Sequence, residues 1–228
     1  MSLQIIAGGN WRNVNQIQII AGGSWRNVTE AYIVAGGQWV KWWGAAPPPV
    51  QYTYLANWAN SYSGTAINTS SHRDELNYQG ESSYHGEESS LWGFDDALMR
   101  ADLAGKTILS VTARITSRWT YAGGGKYFHI MPHNHADKPS TAVLSPNFVS
   151  VLLPRDGTGT VVLPVSFGEQ LRDGTMKGIG LKFEQPGENE WGYCTGMYTT
   201  FSPVASPEDW DIAVCPTDQL AMLTIVTA

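Results

Sequence analysis

The sequence predicts an all-β protein, with short N-terminal β-hairpin repeats followed by an antiparallel, jelly-roll-like β-sandwich. Three observations lead there. A fourteen-residue unit recurs three times before residue 45. Beyond it, short apolar stretches alternate with turn clusters, and helical patterning is confined to one segment. The composition, with 24 Gly, 10 Trp and 10 Tyr, suits tight turns and strands rather than a helical bundle.

The repeat comes first. Ile5-Ile6-Ala7-Gly8-Gly9-Asn10-Trp11-Arg12-Asn13-Val14 returns as Ile19-Ile20-Ala21-Gly22-Gly23-Ser24-Trp25-Arg26-Asn27-Val28. A third copy begins at Ile33-Val34-Ala35-Gly36-Gly37-Gln38-Trp39. An apolar run meeting Gly-Gly reads as a strand entering a two-residue turn, because glycine takes the positive φ such turns need. The return strand carries Trp11, Trp25 or Trp39. The period is even, so each copy can present equivalent residues to the same face. A unit this short cannot bury its own face and needs neighbours or other chains to cover it. Residues 1–44 are therefore expected to form an oligomerisation or attachment segment whose tryptophans pack, rather than a row of sugar platforms.

Residues 45–49, Ala45-Ala46-Pro47-Pro48-Pro49, cannot join a sheet ladder and favour extended polyproline geometry. They mark the expected boundary with a head domain over residues 50–228. Strands are expected there at 51–56, 107–118, 126–131, 148–153, 160–167, 178–183 and 221–227. Turn clusters such as Gly123-Gly124-Gly125 and Arg155-Asp156-Gly157 separate them. Between Ile108 and Thr116, polar and apolar residues alternate as on a strand with one covered face. Residues 94–104 read as the single helix, with Asp95 as its cap and Gly105 as its stop.

The tandem Gly-Gly-x-Trp-Arg-x-Val units, ending in a proline-rich spacer before a β-rich domain, resemble tail-fibre and minor tail proteins of bacteriophages, particularly those of actinobacteria. The likeness covers the first 44 residues. It implies a virion protein of the phage tail, made in the host cytoplasm, contacting other tail proteins and commonly homotrimeric. It brings no catalytic residues. A second stretch, Leu91-Trp92-Gly93-Phe94-Asp95-Asp96 with Leu103-Ala104-Gly105-Lys106-Thr107-Ile108, resembles a sandwich module of surface and phage proteins, although Val111 stands where that pattern has a small residue.

The formal net charge is −6 and only 15% of residues are charged, which argues against a nucleic-acid partner. No stretch reaches the roughly 18 apolar residues of a membrane-spanning helix, so membrane insertion is not expected. The first residues lack a basic region followed by a long apolar one, which argues against a secretory signal. Cys194 and Cys215 are expected to be reduced thiols.

No cofactor and no enzymatic activity are expected. The carboxylate pairs Glu87-Glu88, Asp95-Asp96 and Glu208-Asp209 sit in turn-like contexts, and no nucleophile or phosphate-binding motif is present. His133 and His135 are weak metal candidates, sufficient for an ion only if several copies of the pair converged on a trimer axis. The better candidates are aromatic. Trp119 and Tyr121 precede a triple glycine, and Trp191 and Tyr193 follow the polar stretch Gly187-Glu188-Asn189-Glu190. Exposed aromatic rings stack on sugar C–H faces, and Asn134, Asn189 and Glu190 supply hydrogen-bonding groups. The expected ligand is a host-surface carbohydrate. A lectin-like bacterial surface module and, less favoured, a tail-associated glycan hydrolase are the competing readings.

Overall fold

The computed structural model describes residues 4–7, 10–13, 17–21, 23–35, 38–44, 48–70, 76–83, 86–120, 126–184, 190–196 and 219–228. The chain divides into two compact units, Met1–Pro48 and Pro49–Ala228.

The first unit contains three antiparallel hairpins: β1 (Gln4–Ala7) with β2 (Asn10–Asn13), β3 (Ile17–Ala21) with β4 (Ser24–Val28), and β5 (Glu30–Ala35) with β6 (Gln38–Gly44). The pairing around each turn is the same in all three hairpins, while the third shifts register between Ala31 and Tyr32. Ile6 stands opposite Trp11, Ile20 opposite Trp25 and Val34 opposite Trp39. Gly23 carries a φ of 77°, as its place in the tight turn demands. Each hairpin is a separate two-stranded sheet. Trp25 is 67% exposed and Tyr32 is also exposed.

The second unit holds twelve strands and two helices among the described residues. The strands are β7 (Val50–Leu55), β8 (Trp58–Ser63), β9 (Ala66–Ile67), β10 (Leu76–Ser82), β11 (Gly86–Gly93), β12 (Ile108–Thr120), β13 (Lys126–His133), β14 (Val149–Leu153), β15 (Gly157–Leu163), β16 (Gly178–Phe183), β17 (Trp191–Thr195) and β18 (Met222–Thr227). The helices are α1 (Asp96–Leu103) and α2 (Val165–Asp173). Every strand pairing is antiparallel, and the path runs β14-β13-β16-β11-β10-β17-β12-β18-β7. Strands β15 and β8 lie along the second edges of β12 and β11.

Two long strands divide their edges between partners. β11 takes β10 at Gly86–Glu88 and β16 at Ser90–Gly93. β12 takes β18 at Ile108–Arg114 and β17 at Ser117–Thr120. The result is two wings, β7-β18-β12-β15 and β8-β11-β16-β13-β14, bridged by the pair β10–β17. One apolar cluster joins them. Val111, Ala113, Ile115, Leu223 and Ile225 come from the first wing, and Trp92, Phe128, Ile130, Ile179 and Leu181 from the second. Their inner faces share a core as the sheets of a sandwich do. Among the described residues β7 pairs with β18 alone.

Sequence expectations meet the structure unevenly. In β12, Ile108 is buried while Leu109 is 45% exposed, because the register shifts between Ile108 and Ser110; beyond that bulge the expected alternation holds to Ile115, after which Thr116 and Ser117 are both buried. In α1, the Asp95 carboxylate accepts from the Leu98 N–H at 2.9 Å and Gly105 has a φ of 69°. Residues 160–167 are not one strand. β15 ends at Leu163 and α2 starts after Pro164, whose ring removes a ladder donor and suits a helix start. Phe167 and Leu171, one turn apart, then face the core, and Gly168 lets α2 approach β12. A Cβ there would lie 2.7 Å from the Cγ2 atoms of Ile108 and Val111.

Candidate functional site

Pairing of β10 with β17 builds an aromatic row. Tyr78 stands opposite Tyr193, and Gly80 opposite Trp191. Directly opposed and alternate residues share a sheet face, so Tyr78, Trp191 and Tyr193 come together. Tyr78 and Trp191 have ring centroids 6.0 Å apart and planes 22° apart; Trp191 and Tyr193 are 6.3 Å and 29° apart; Tyr78 and Tyr193 are 5.4 Å and 38° apart. Tyr193 is buried beneath its neighbours, while Tyr78 and Trp191 are half-buried. Burial pushes the Tyr193 phenol up, with the neighbouring Tyr78 adding to it, so the group stays un-ionised. Gly80, at a φ of 102°, admits the Trp191 backbone: a Cβ there would fall 2.2 Å from the Glu190 carbonyl oxygen.

Charged groups flank the row. Lys126 pairs with Glu190, and the Arg118 guanidinium donates to Gln219 Oε1 at 2.5 Å. Arg118 and Asp156 both lie close enough to act on the Tyr193 phenol, in opposite directions. The surface is therefore aromatic with polar ends. Exposed ring faces of this kind can stack on flat apolar groups, and polar side chains at the margin can hydrogen-bond.

Trp191 and Tyr193 thus come together, and Trp119 stands opposite Tyr193 in the β12–β17 register. Tyr121 and Asn189 lie outside the described residues. Asn134 belongs elsewhere. It follows β13 and lines a cavity of about 310 Å³ with Pro132, Leu144 and Gln170. The sequence reading missed Tyr78. The alternation in Leu76-Asn77-Tyr78-Gln79-Gly80-Glu81 was its only signal, and the polar alternates obscured the strand.

The histidine pair is committed to structure. His133, 3% exposed, donates from Nε2 to the Trp92 carbonyl oxygen at 3.0 Å, and its Nδ1 accepts from the His135 N–H at 3.3 Å. Burial pushes its pKa down to about 4, against the opposing effect of the Trp92 hydrogen bond. His135 Nε2 accepts from the Val143 N–H at 2.9 Å. A neutral imidazole has one lone pair, and in both rings a backbone N–H takes it. The arrangement pins a loop and offers a metal no ligand. Among the described residues no group of three or more His, Cys, Asp or Glu side chains converges as a metal site.

The carboxylates have similar roles. Asp95 caps α1, and Asp96 pairs with Arg100 at 3.0 Å. Glu87 pairs with Lys182, while buried Glu88 accepts from Asn68 Nδ2 at 2.7 Å. Glu208-Asp209 lie outside the described residues, as does Cys215. Cys194 is a free thiol buried in the core, where desolvation raises its pKa and keeps it protonated.

Compared with family models and with curated proteins, the chain matches neither a family model nor a curated sequence.

Proposed function

We propose that this chain is a non-enzymatic structural protein of a bacteriophage tail, a tail-fibre or minor tail protein whose head contacts carbohydrate on the host surface. One observation carries the reading. Three copies of one hairpin, paired in the same register, each form a separate two-stranded sheet, and Trp25 is 67% exposed in the single chain. A lone two-stranded hairpin is marginal in water. Trp25 therefore needs cover from other chains, and a homotrimer supplies it while building a stalk. Other tail proteins are the further partners of this segment. Production in the host cytoplasm and residence in the virion follow from the same reading.

The aromatic row of Tyr78, Trp191 and Tyr193 supports the contact with host carbohydrate. Shallow sugar sites bind weakly one by one, but display on one oligomer, and on several per particle, raises avidity by about 10²–10⁴. The row also supports a second reading, a lectin-like module of a bacterial surface, since it needs no virion to operate.

Light scattering on the full chain at micromolar concentration tests the assembly. A trimer mass is expected, and a persistent monomer would overturn the proposal. Adhesion of the oligomer to bacterial cells, competed by their surface polysaccharide, tests the head. Trp191→Ala is expected to reduce adhesion at least tenfold, and unchanged adhesion would remove the aromatic row from consideration.

A further inference from the structure

The cavity beside Asn134 is a depression open to solvent, with Asn134 itself exposed, and one wall is a segment with little regular structure. That segment, residues 134–148, is tied down along its length. The Tyr62 hydroxyl donates to the Pro139 carbonyl oxygen at 3.0 Å, and Trp58 Nε1 donates to that of Ala136 at 3.2 Å. The Ala142 N–H donates to Thr65 O at 2.7 Å, and the Ser145 N–H to Pro132 O at 3.1 Å. Two glycines in β16 make room for the wall. A Cβ on Gly180 would lie 2.2 Å from Leu144 Cδ2, and one on Gly178 would lie 2.3 Å from His133 Nε2.

The opposite wall is the end of α2. The Gln170 carbonyl oxygen accepts from the N–H groups of Thr175 and Met176 at 3.0 and 3.1 Å and from Thr175 Oγ1 at 3.3 Å. That fixes the backbone of Gln170, which lines the cavity. Neither the Gln170 nor the Asn134 side-chain amide bonds to another described residue, and both line the cavity. Pro132, Leu144 and Pro146 give it an apolar surface, and it has no acidic, lysine or arginine side chain in its lining.

Each feature narrows the ligand. The site offers an ion no countercharge, and its two amides offer hydrogen bonds that an apolar molecule cannot answer. A volume of about 310 Å³ is small among ligand sites and suits a single sugar residue rather than a chain of them. Two primary amides, each both donor and acceptor, match the C=O and N–H of an acetamido group, whose methyl fits the proline and leucine surface. We propose that this cavity is a second carbohydrate subsite that takes one neutral, N-acetylated sugar residue through Asn134 and Gln170. The inference rests on the reading of the head as a glycan binder and names the sugar class.

Saturation-transfer NMR on the full chain, repeated with Trp191→Ala so that the aromatic row does not contribute, tests it, with methyl N-acetyl-β-glucosaminide, methyl β-glucoside and a methyl glucuronide as probes. The N-acetylated probe is expected to bind with strongest transfer to its acetyl methyl, the glucoside more weakly and the glucuronide not at all. Asn134→Ala combined with Gln170→Ala should weaken the N-acetylated probe at least tenfold, and Asn134→Asp should weaken it by inserting a charge. Trp191→Ala should leave it bound. No binding of the N-acetylated probe, equal binding of the glucuronide, or full binding by the double variant would each overturn the subsite. Loss of cell adhesion in Trp191→Ala alone, with the amide variants inert throughout, would sink the subsite and leave the glycan-binding head standing. Amide-dependent binding of the sugar by a chain that adheres to no bacterium would do the reverse.

Discussion

The hairpin unit and the head solve the burial problem in opposite ways. In the head, Trp92 on β11 is fully buried, packs within a core shared by two wings and donates from Nε1 to the Thr195 carbonyl oxygen at 3.1 Å. In the hairpins, Trp25 stands in an equally regular register position and is 67% exposed. The same residue type serves a core closed within one chain in the first case and stands exposed on a two-stranded sheet in the second. Regular pairing alone does not make a folded domain; a second apolar layer does.

Paired substitutions at these tryptophans sharpen the contrast most. Trp92→Ala is expected to destabilise the head by about 3–5 kcal/mol, read by urea denaturation, while leaving the oligomer mass intact where the head still folds. Trp25→Ala is expected to leave the head transition in place and shift the mass distribution toward monomer. A head transition lowered by Trp25→Ala would break the comparison, because it would make the two units one cooperative body.

Acid should separate the regions next. His133 is neutral and buried, with a pKa pushed down to about 4 against an ordinary value near 6.5. The unfolded chain therefore binds the extra proton first as pH falls. Head stability is expected to be unaffected by this group above about pH 6.5, to decline between 6.5 and 4, and to level off below, for a total near 3 kcal/mol. Replacing His133 with Gln should flatten that decline. Melting curves of the full chain across this range, with the hairpin signal followed separately, check it. A head equally stable at pH 6.5 and pH 4.5 would refute the assignment.

The smallest effect belongs to the α1 cap. Asp95→Ala removes the carboxylate that accepts from the Leu98 N–H and should cost about 1 kcal/mol, seen as a modest lowering of the head's denaturation midpoint. An effect several times larger would mean that Asp95 holds more than one helix end.

What was legible in the sequence follows from range. The hairpins, the α1 cap and β12 announce themselves through neighbours a few residues apart. Strands β8, β10 and β11 were not expected, because Asn60, Ser61, Asn77, Gln79, Glu88 and Ser90 are polar yet buried. Several of their polar atoms pair across strands, although Asn77 Oδ1 and Gln79 Oε1 do not: the Ser90 hydroxyl donates to Tyr78 O at 2.7 Å, Gln79 Nε2 to Ser90 Oγ at 2.6 Å, and the Tyr78 N–H to Ser61 Oγ at 2.8 Å. A hydrophobic pattern cannot reveal a polar interior. The aromatic candidates were half legible for the same reason. Trp191 and Tyr193 sit two residues apart, whereas Tyr78 joins them only through the β10–β17 pairing.

The placement of β7 has a consequence for how the protein is made. This strand opens the head, yet among the described residues its only ladder partner is β18, the last strand in chain order. On the ribosome, β7 emerges early and has no such partner until nearly the whole head has been synthesised. The hairpins need only their own local contacts, which form on a timescale of about microseconds once the segment is free of the exit tunnel. The hairpin unit therefore has time to form while the head is still open. Hairpin formation can precede head closure, and β18 acts as the late seal on the head.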